Sequence, residues 1–303
     1  MNNYFNFYYG INVFEIFSDK GIFSFNYNGI NYYFVEYDRD KKDMKSIVSI
    51  CEELKKRNII TNELVLNKFN GYITPYNNLL YVLIKENSRK YKIDINDVLY
   101  IQNNTYDLLV DNNMIRNNYI DLWKTKIDFY EKKIIDIRNK NKLIDNTFDF
   151  FVGLGENAIV YLTNNNVRIS RFVLSHRRID EKRNSFDFYN PLNYILDNRA
   201  RDIADFIKSI FFYESISKEV IFNFLNYINF NREEYILFIA RMLYPTYYFD
   251  MIDKIIINNE NDIIIKKIID KTNDYINLIE ELFYYINNNL RMNIPIIEWI
   301  IKK

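Results

Sequence analysis

Strand-like sequence runs as far as Ile84 and helical sequence from about Asn96 onward, and this change of period limits the chain to an α+β arrangement. Residues 14–18, 22–27 and 30–37 are short, aromatic and β-branched. Asn28-Gly29 separates the last two runs and marks a two-residue hairpin, because both central residues of that turn need positive φ. Apolar spacing predicts a helix over 41–57, followed by strand-like pieces at 64–68, 72–74 and 79–84, the last read as fully buried. These elements make an N-terminal α+β lobe over residues 1–88, opening with an antiparallel sheet. Residues 89–303 are read as a larger, mainly helical lobe. There Trp123, Ile127, Tyr130 and Ile134 share one helix face, and Asn231 with Glu234 forms a capping box for a helix that Pro245 ends. Residues 167–187 interrupt the helical period, with apolar runs at 169–174 and 186–188 around a polar stretch.

The 27 Tyr and 24 Phe, against 6 Gly and 4 Pro, require large side chains to fill the core between long elements. Lys plus Arg equals Asp plus Glu at 40 each, which leaves no net field to attract nucleic acid. The N-terminus lacks a basic segment before an apolar run, and polar residues break every apolar stretch before membrane-spanning length; a soluble cytoplasmic protein is expected. With one cysteine, Cys51, and one histidine, His176, the common zinc sites cannot be assembled, and any bound metal would be a hard cation held by oxygens. Cys51 falls on the apolar face of the helix over 41–57 and reads as a buried structural thiol. Gly153, Gly155 and Ala158 fit a dinucleotide fingerprint in spacing only, since no strand or βαβ unit surrounds them; close helix approach is the better account.

The stretch Val173-Leu174-Ser175-His176-Arg177-Arg178-Ile179, then Phe186-Asp187-Phe188, then Arg201-Asp202-Ile203-Ala204, resembles the catalytic segment of the aminoglycoside phosphotransferase and choline kinase branch of protein-kinase-like folds. Three further segments, starting at Leu122-Trp123-Lys124, Gly153-Leu154-Gly155 and Arg241-Met242-Leu243, are similar to the spore-coat-associated kinase-like family (CotS/YutH type) of Firmicutes. The resemblance covers nearly the whole chain and implies a two-lobed protein-kinase-like fold.

It also implies that the machinery of phosphoryl transfer is degenerate. The catalytic aspartate aligns with Arg178, whose guanidinium stays protonated and cannot act as a base. The metal-holding asparagine falls near Arg183 and Asn184, and Glu36 stands at the place of the phosphate-holding lysine. Asp187 keeps the metal-binding position, with an ion pair to Arg178 or Arg177 as its other reading. His176 is expected to fix the loop through hydrogen bonds, and Asp202 to organise it structurally. These residues predict a pseudokinase that acts as an interaction or scaffold protein, associated with spore or cell envelope, with no cofactor. The alternative is a divergent small-molecule phosphotransferase using Mg-ATP, in which Asp180 replaces the base and Asp187 binds the Mg2+. The sequence identifies neither the protein partner nor the oligomeric state.

Overall fold

The computed structural model describes residues 1–19, 21–88, 90–108, 112–135, 141–168, 171–214, 216–258, 261 and 263–301. The chain divides into two compact units. One comprises Met1–Ile115, Val173–Arg178 and Arg183–Leu196, and the other Arg116–Phe172, Ile179–Lys182 and Asp197–Lys303.

The first unit opens on a helix, α1 (Asn2–Tyr9), where a strand was expected as the first element. This helix has no side-chain cap and buries only Phe5, so it shows no apolar period; packing against the sheet holds it. The sheet follows as β1 (Phe17–Asp19), β2 (Ile22–Tyr27) and β3 (Ile30–Glu36), then α2 (Asp43–Lys56), β4 (Glu63–Leu64), β5 (Ile73–Tyr76) and β6 (Leu79–Lys85). Its order is β1-β2-β3-β6-β4, with β5 also paired to β6, and every pair is antiparallel. The Asn28-Gly29 turn forms as expected, with φ of 52° and 77°. A second tight turn, Asn77-Asn78 at φ 48° and 65°, joins β5 to β6 and uses the tolerance of asparagine for the left-handed region. The edge pieces differ from expectation. β4 is two residues long, and β5 runs through Pro75, which a strand tolerates at an edge where no ladder N–H is missed.

Alternation along β3 gives its two faces different tasks. Phe34 joins Phe5, Phe25, Tyr81 and Leu83 in a buried aromatic cluster beneath α1. Tyr33 points from the opposite face and meets Phe186, with ring centroids 3.8 Å apart. The unit is completed by α3 (Ile95–Asn103), by a two-stranded sheet of β7 (Val173–His176) and β8 (Tyr194–Asp197), and by one helical turn between them, α6 (Ser185–Phe188). The expected apolar run at 169–174 begins outside the described residues, which resume at Arg171.

The second unit is helical: α4 (Tyr119–Ile134), α5 (Lys142–Asn165), α7 (Ala200–Tyr213), α8 (Lys218–Tyr227), α9 (Arg232–Leu243), α10 (Thr246–Asn258), α11 (Ile263–Asp270) and α12 (Thr272–Asn288). Asn231 and Glu234 form the expected capping box on α9, with Glu234 N–H donating to Asn231 Oδ1 at 2.9 Å and Asn231 N–H to Glu234 Oε2 at 3.0 Å. The far end of α9 is satisfied from α7: the buried Lys208 ammonium donates to the carbonyls of Arg241 and Tyr244.

The two glycines of α5 prove unequal. A Cβ at Gly155 would meet Ile127 Cδ1 of α4 at 3.0 Å, whereas a Cβ at Gly153 meets nothing within 4 Å. Gly153→Ala is therefore expected to raise stability by about 0.5–1 kcal/mol through helix propensity. Gly155→Ala should gain less, because Ile127 has to move. Urea denaturation of both variants checks this, and equal gains would remove the close-approach account of Gly155.

Candidate functional site

The segment around His176 that the sequence singled out starts in β7, all four residues of which are buried. His176 has no exposed surface and stacks on Phe188 at 4.1 Å, with the Tyr194 ring edge-on at 5.6 Å. Phe188 comes from α6, which Asn184 caps by accepting the Phe186 N–H on Oδ1 at 2.8 Å. Arg183, immediately before that cap, is buried and held at φ 49°, a conformation that L side chains other than Asn and Asp rarely adopt. The Arg183 carbonyl accepts the Ile93 N–H at 3.0 Å, and Ser185 N–H donates to the Tyr91 carbonyl at 3.1 Å, so the segment is pinned to the chain that follows β6.

The stretch after β3 grips the same segment, and sequence reasoning missed it. Arg177 donates to both Asp38 oxygens at 2.8 and 3.0 Å, so Asp38 is an acid partner of Arg177 that lies 139 residues away. The buried Arg39 guanidinium donates to the Tyr194 carbonyl at 2.7 Å, the Leu192 carbonyl at 3.2 Å and Asp43 Oδ2 at 3.3 Å. Burial lowers its pKa, and the Asp43 carboxylate opposes that shift. Asn113 Nδ2 donates to the other Asp43 oxygen at 2.7 Å. These partners lie up to 155 residues from Arg39, beyond the reach of any local pattern.

Glu36 is exposed at the end of β3 and registers opposite Tyr81, on the Phe34 face. Alternation along β3 turns Glu36 away from Phe186 and gives Tyr33 and Val35 the face that meets it. Burial, then the Glu86 carboxylate, pushes the Tyr33 phenol up to about 12, so that ring is uncharged at neutral pH. Arg178 and Asp187 are both half-buried in the first unit, Asp187 on α6 with its carbonyl accepting Asn193 Nδ2 at 2.8 Å. Asp180 belongs to the second unit, where its carbonyl accepts the Ser209 hydroxyl at 3.1 Å. Asp202 lies in the first turn of α7, 1% exposed.

A further buried acid is one the sequence did not single out. Asp197 closes β8 with no exposed surface and accepts from Arg201 at 2.9 Å, from Arg241 at 3.0 and 3.2 Å, and from the Tyr119 hydroxyl. Arg241 also lies over the Tyr119 ring at 4.4 Å. Burial alone would lower the Arg241 pKa, but the Asp197 carboxylate more than offsets it, so the guanidinium is held charged.

Among the described residues no group of three or more His, Cys, Asp or Glu side chains is gathered to hold a metal ion, and the Asn184 side-chain oxygen is engaged as a cap. Nor, among the described residues, is any helix long and apolar enough to cross a membrane.

An antiparallel-sheet unit that also holds the His176 strand, together with a helical unit, defines the class: the kinase-like phosphotransferase fold. An aminoglycoside phosphotransferase from Alicyclobacillus acidocaldarius superposes with a TM-score of 0.63, covering 91% of this chain and 93% of that one at 11% identity. An amicoumacin kinase, hAmiN, solved with AMP-PNP, Ca2+ and Ami, gives 0.55 over 88% and 87% at 10% identity. The family described as "Spore coat putative kinase YutH" matches residues 2–282, and the chain belongs to that family. The endospore coat-associated protein YutH of Bacillus subtilis (strain 168) is 22% identical over 164 residues, a match that spans 47% of this chain and 47% of that protein.

Proposed function

We propose that this chain is a catalytically inactive kinase-like protein, a pseudokinase that serves as a cytoplasmic interaction or scaffold protein for a protein partner at the spore or cell envelope. The observation that carries the reading is the contact of Tyr33 with Phe186 at 3.8 Å. In an active kinase the strand equivalent to β3 brings a lysine to the nucleotide phosphates. Here the β3 face toward the catalytic segment offers an aromatic ring and Val35, and the ring lies directly on that segment. Arg178 stands where the base belongs and carries the wrong charge to accept a proton. Phosphoryl transfer depends almost wholly on positioned charge, so loss of both the cation on the phosphates and the carboxylate at the acceptor hydroxyl removes most of the catalytic effect. The spore-coat name of the Bacillus subtilis relative supports the envelope assignment.

The expected result is no saturable heat on titration with Mg-ATP, with or without chelator, and no phosphate release above a heat-inactivated control. Arg178→Asp alone should leave both unchanged, because Tyr33 still occupies the β3 face that meets Phe186. Saturable binding or turnover by the unmodified protein would replace this reading with that of a divergent small-molecule phosphotransferase.

A further inference from the structure

The first unit carries a cavity of about 530 Å³ between α2 and the stretch leading into β4, a volume within the range of small-molecule sites. Val48, Ile60, Leu64 and Tyr72 give it apolar walls, and Thr61, Asn62 and Asn87 bring hydroxyl and amide groups to the same space. Charge around it cancels. Glu52 and Lys55 line it together, and Glu63 is taken by Lys85 at 3.0 Å. With Glu52 and Lys55 of opposite sign on the same lining, no net charge favours an ion of either sign, and burying a charge without full compensation is unfavourable.

The inner wall of this cavity is bonded to the catalytic segment. The Thr61 hydroxyl lies 2.9 Å from that of Tyr194, and Asn62 N–H donates to the Tyr189 carbonyl at 2.9 Å. Asn62 Nδ2 donates to the Phe186 carbonyl at 3.2 Å, while Asn62 Oδ1 accepts the Asn87 N–H at 3.0 Å. One fully buried asparagine thus joins the cavity to the residue whose ring covers Tyr33. We propose that the cavity binds a small uncharged molecule with an apolar body and an amide or hydroxyl group, and that Asn62 conveys its occupancy to the Phe186 turn. This holds whether or not the protein turns over ATP.

The single cysteine provides the test, because Cys51 lines the cavity. Burial pushes its thiol up to about 12, so exchange that binding does not assist is slow. The protein is equilibrated in a thiol buffer with disulfides carrying benzamide, benzoate or benzylammonium, and occupancy of Cys51 is read by intact mass. Benzamide should be captured about tenfold more than either charged probe. Val48→Trp, which fills the cavity from a half-exposed position on α2, should abolish that preference. Should that variant misfold, Ile60→Trp at the mouth, where Ile60 is 51% exposed, serves in its place. Capture of benzamide should also slow hydrogen exchange across residues 185–190. Equal capture of the three probes, or a preference that survives the tryptophan, overturns the site; capture without slowed exchange overturns the role of Asn62.

Discussion

Asp197→Ala is expected to remove about 3–5 kcal/mol of stability, the usual cost of taking one partner from a buried ion pair. Asp197 has no exposed surface, and the change would leave the Arg241 guanidinium, 7% exposed, without the carboxylate it meets at 3.0 and 3.2 Å. Arg201 and the Tyr119 hydroxyl lose the same acceptor. The expense comes from the charge left behind more than from the bond removed, which makes the account testable. The double variant Asp197→Ala with Arg241→Met should be less destabilised than the sum of the single changes. Asp187→Ala is the contrast: a half-buried residue on a single helical turn, expected to cost far less. Denaturant unfolding of the four variants decides. Strictly additive costs for Asp197 and Arg241 would mean that the pair does not act as a unit.

Why Asp197 escaped the sequence reading is instructive. Its partners Arg241 and Tyr119 lie 44 and 78 residues away, so no spacing within the catalytic segment announces them. The same holds for Arg39 and Asp38, whose partners at 177, 192 and 194 are brought close only by the fold. Features specified locally were legible. The hairpin at Asn28-Gly29 needs two positive φ values, and the capping box at Asn231 and Glu234 needs residues three apart. The order of sheet and helical sequence followed from period alone. α1 was not legible, because one buried phenylalanine makes no period. The face that Glu36 takes was not legible either, because a resemblance fixes a residue's distance from a motif only to within one or two positions. In a strand one position is a whole face.

That difference of one position supports the last prediction, which compares neighbours on β3. Phe34→Ala is expected to cost about 3–5 kcal/mol, as for other aromatic residues deleted from a packed core. Phe34 has no exposed surface, stacks on Tyr81 at 4.6 Å and meets Phe5 edge-on at 5.2 Å and Tyr4 at 5.9 Å. Its removal opens a void under α1 that rigid rings cannot close. Tyr33→Ala should cost clearly less, since Tyr33 is half-buried and its side is lined by one principal ring, Phe186. The functional consequence runs the other way. Glu36→Lys adds an ammonium on the Phe34 face, and Mg-ATP affinity should stay undetectable even when Arg178→Asp is added. Tyr33→Lys with Arg178→Asp puts a cation on the face toward the catalytic segment, and is the smaller change from which nucleotide binding is expected. Calorimetry of the two double variants, with melting curves to confirm folding, separates the faces. Binding by the Glu36→Lys pair and none by the Tyr33→Lys pair would reverse the assignment of β3, and with it the argument that an aromatic ring closes the nucleotide site.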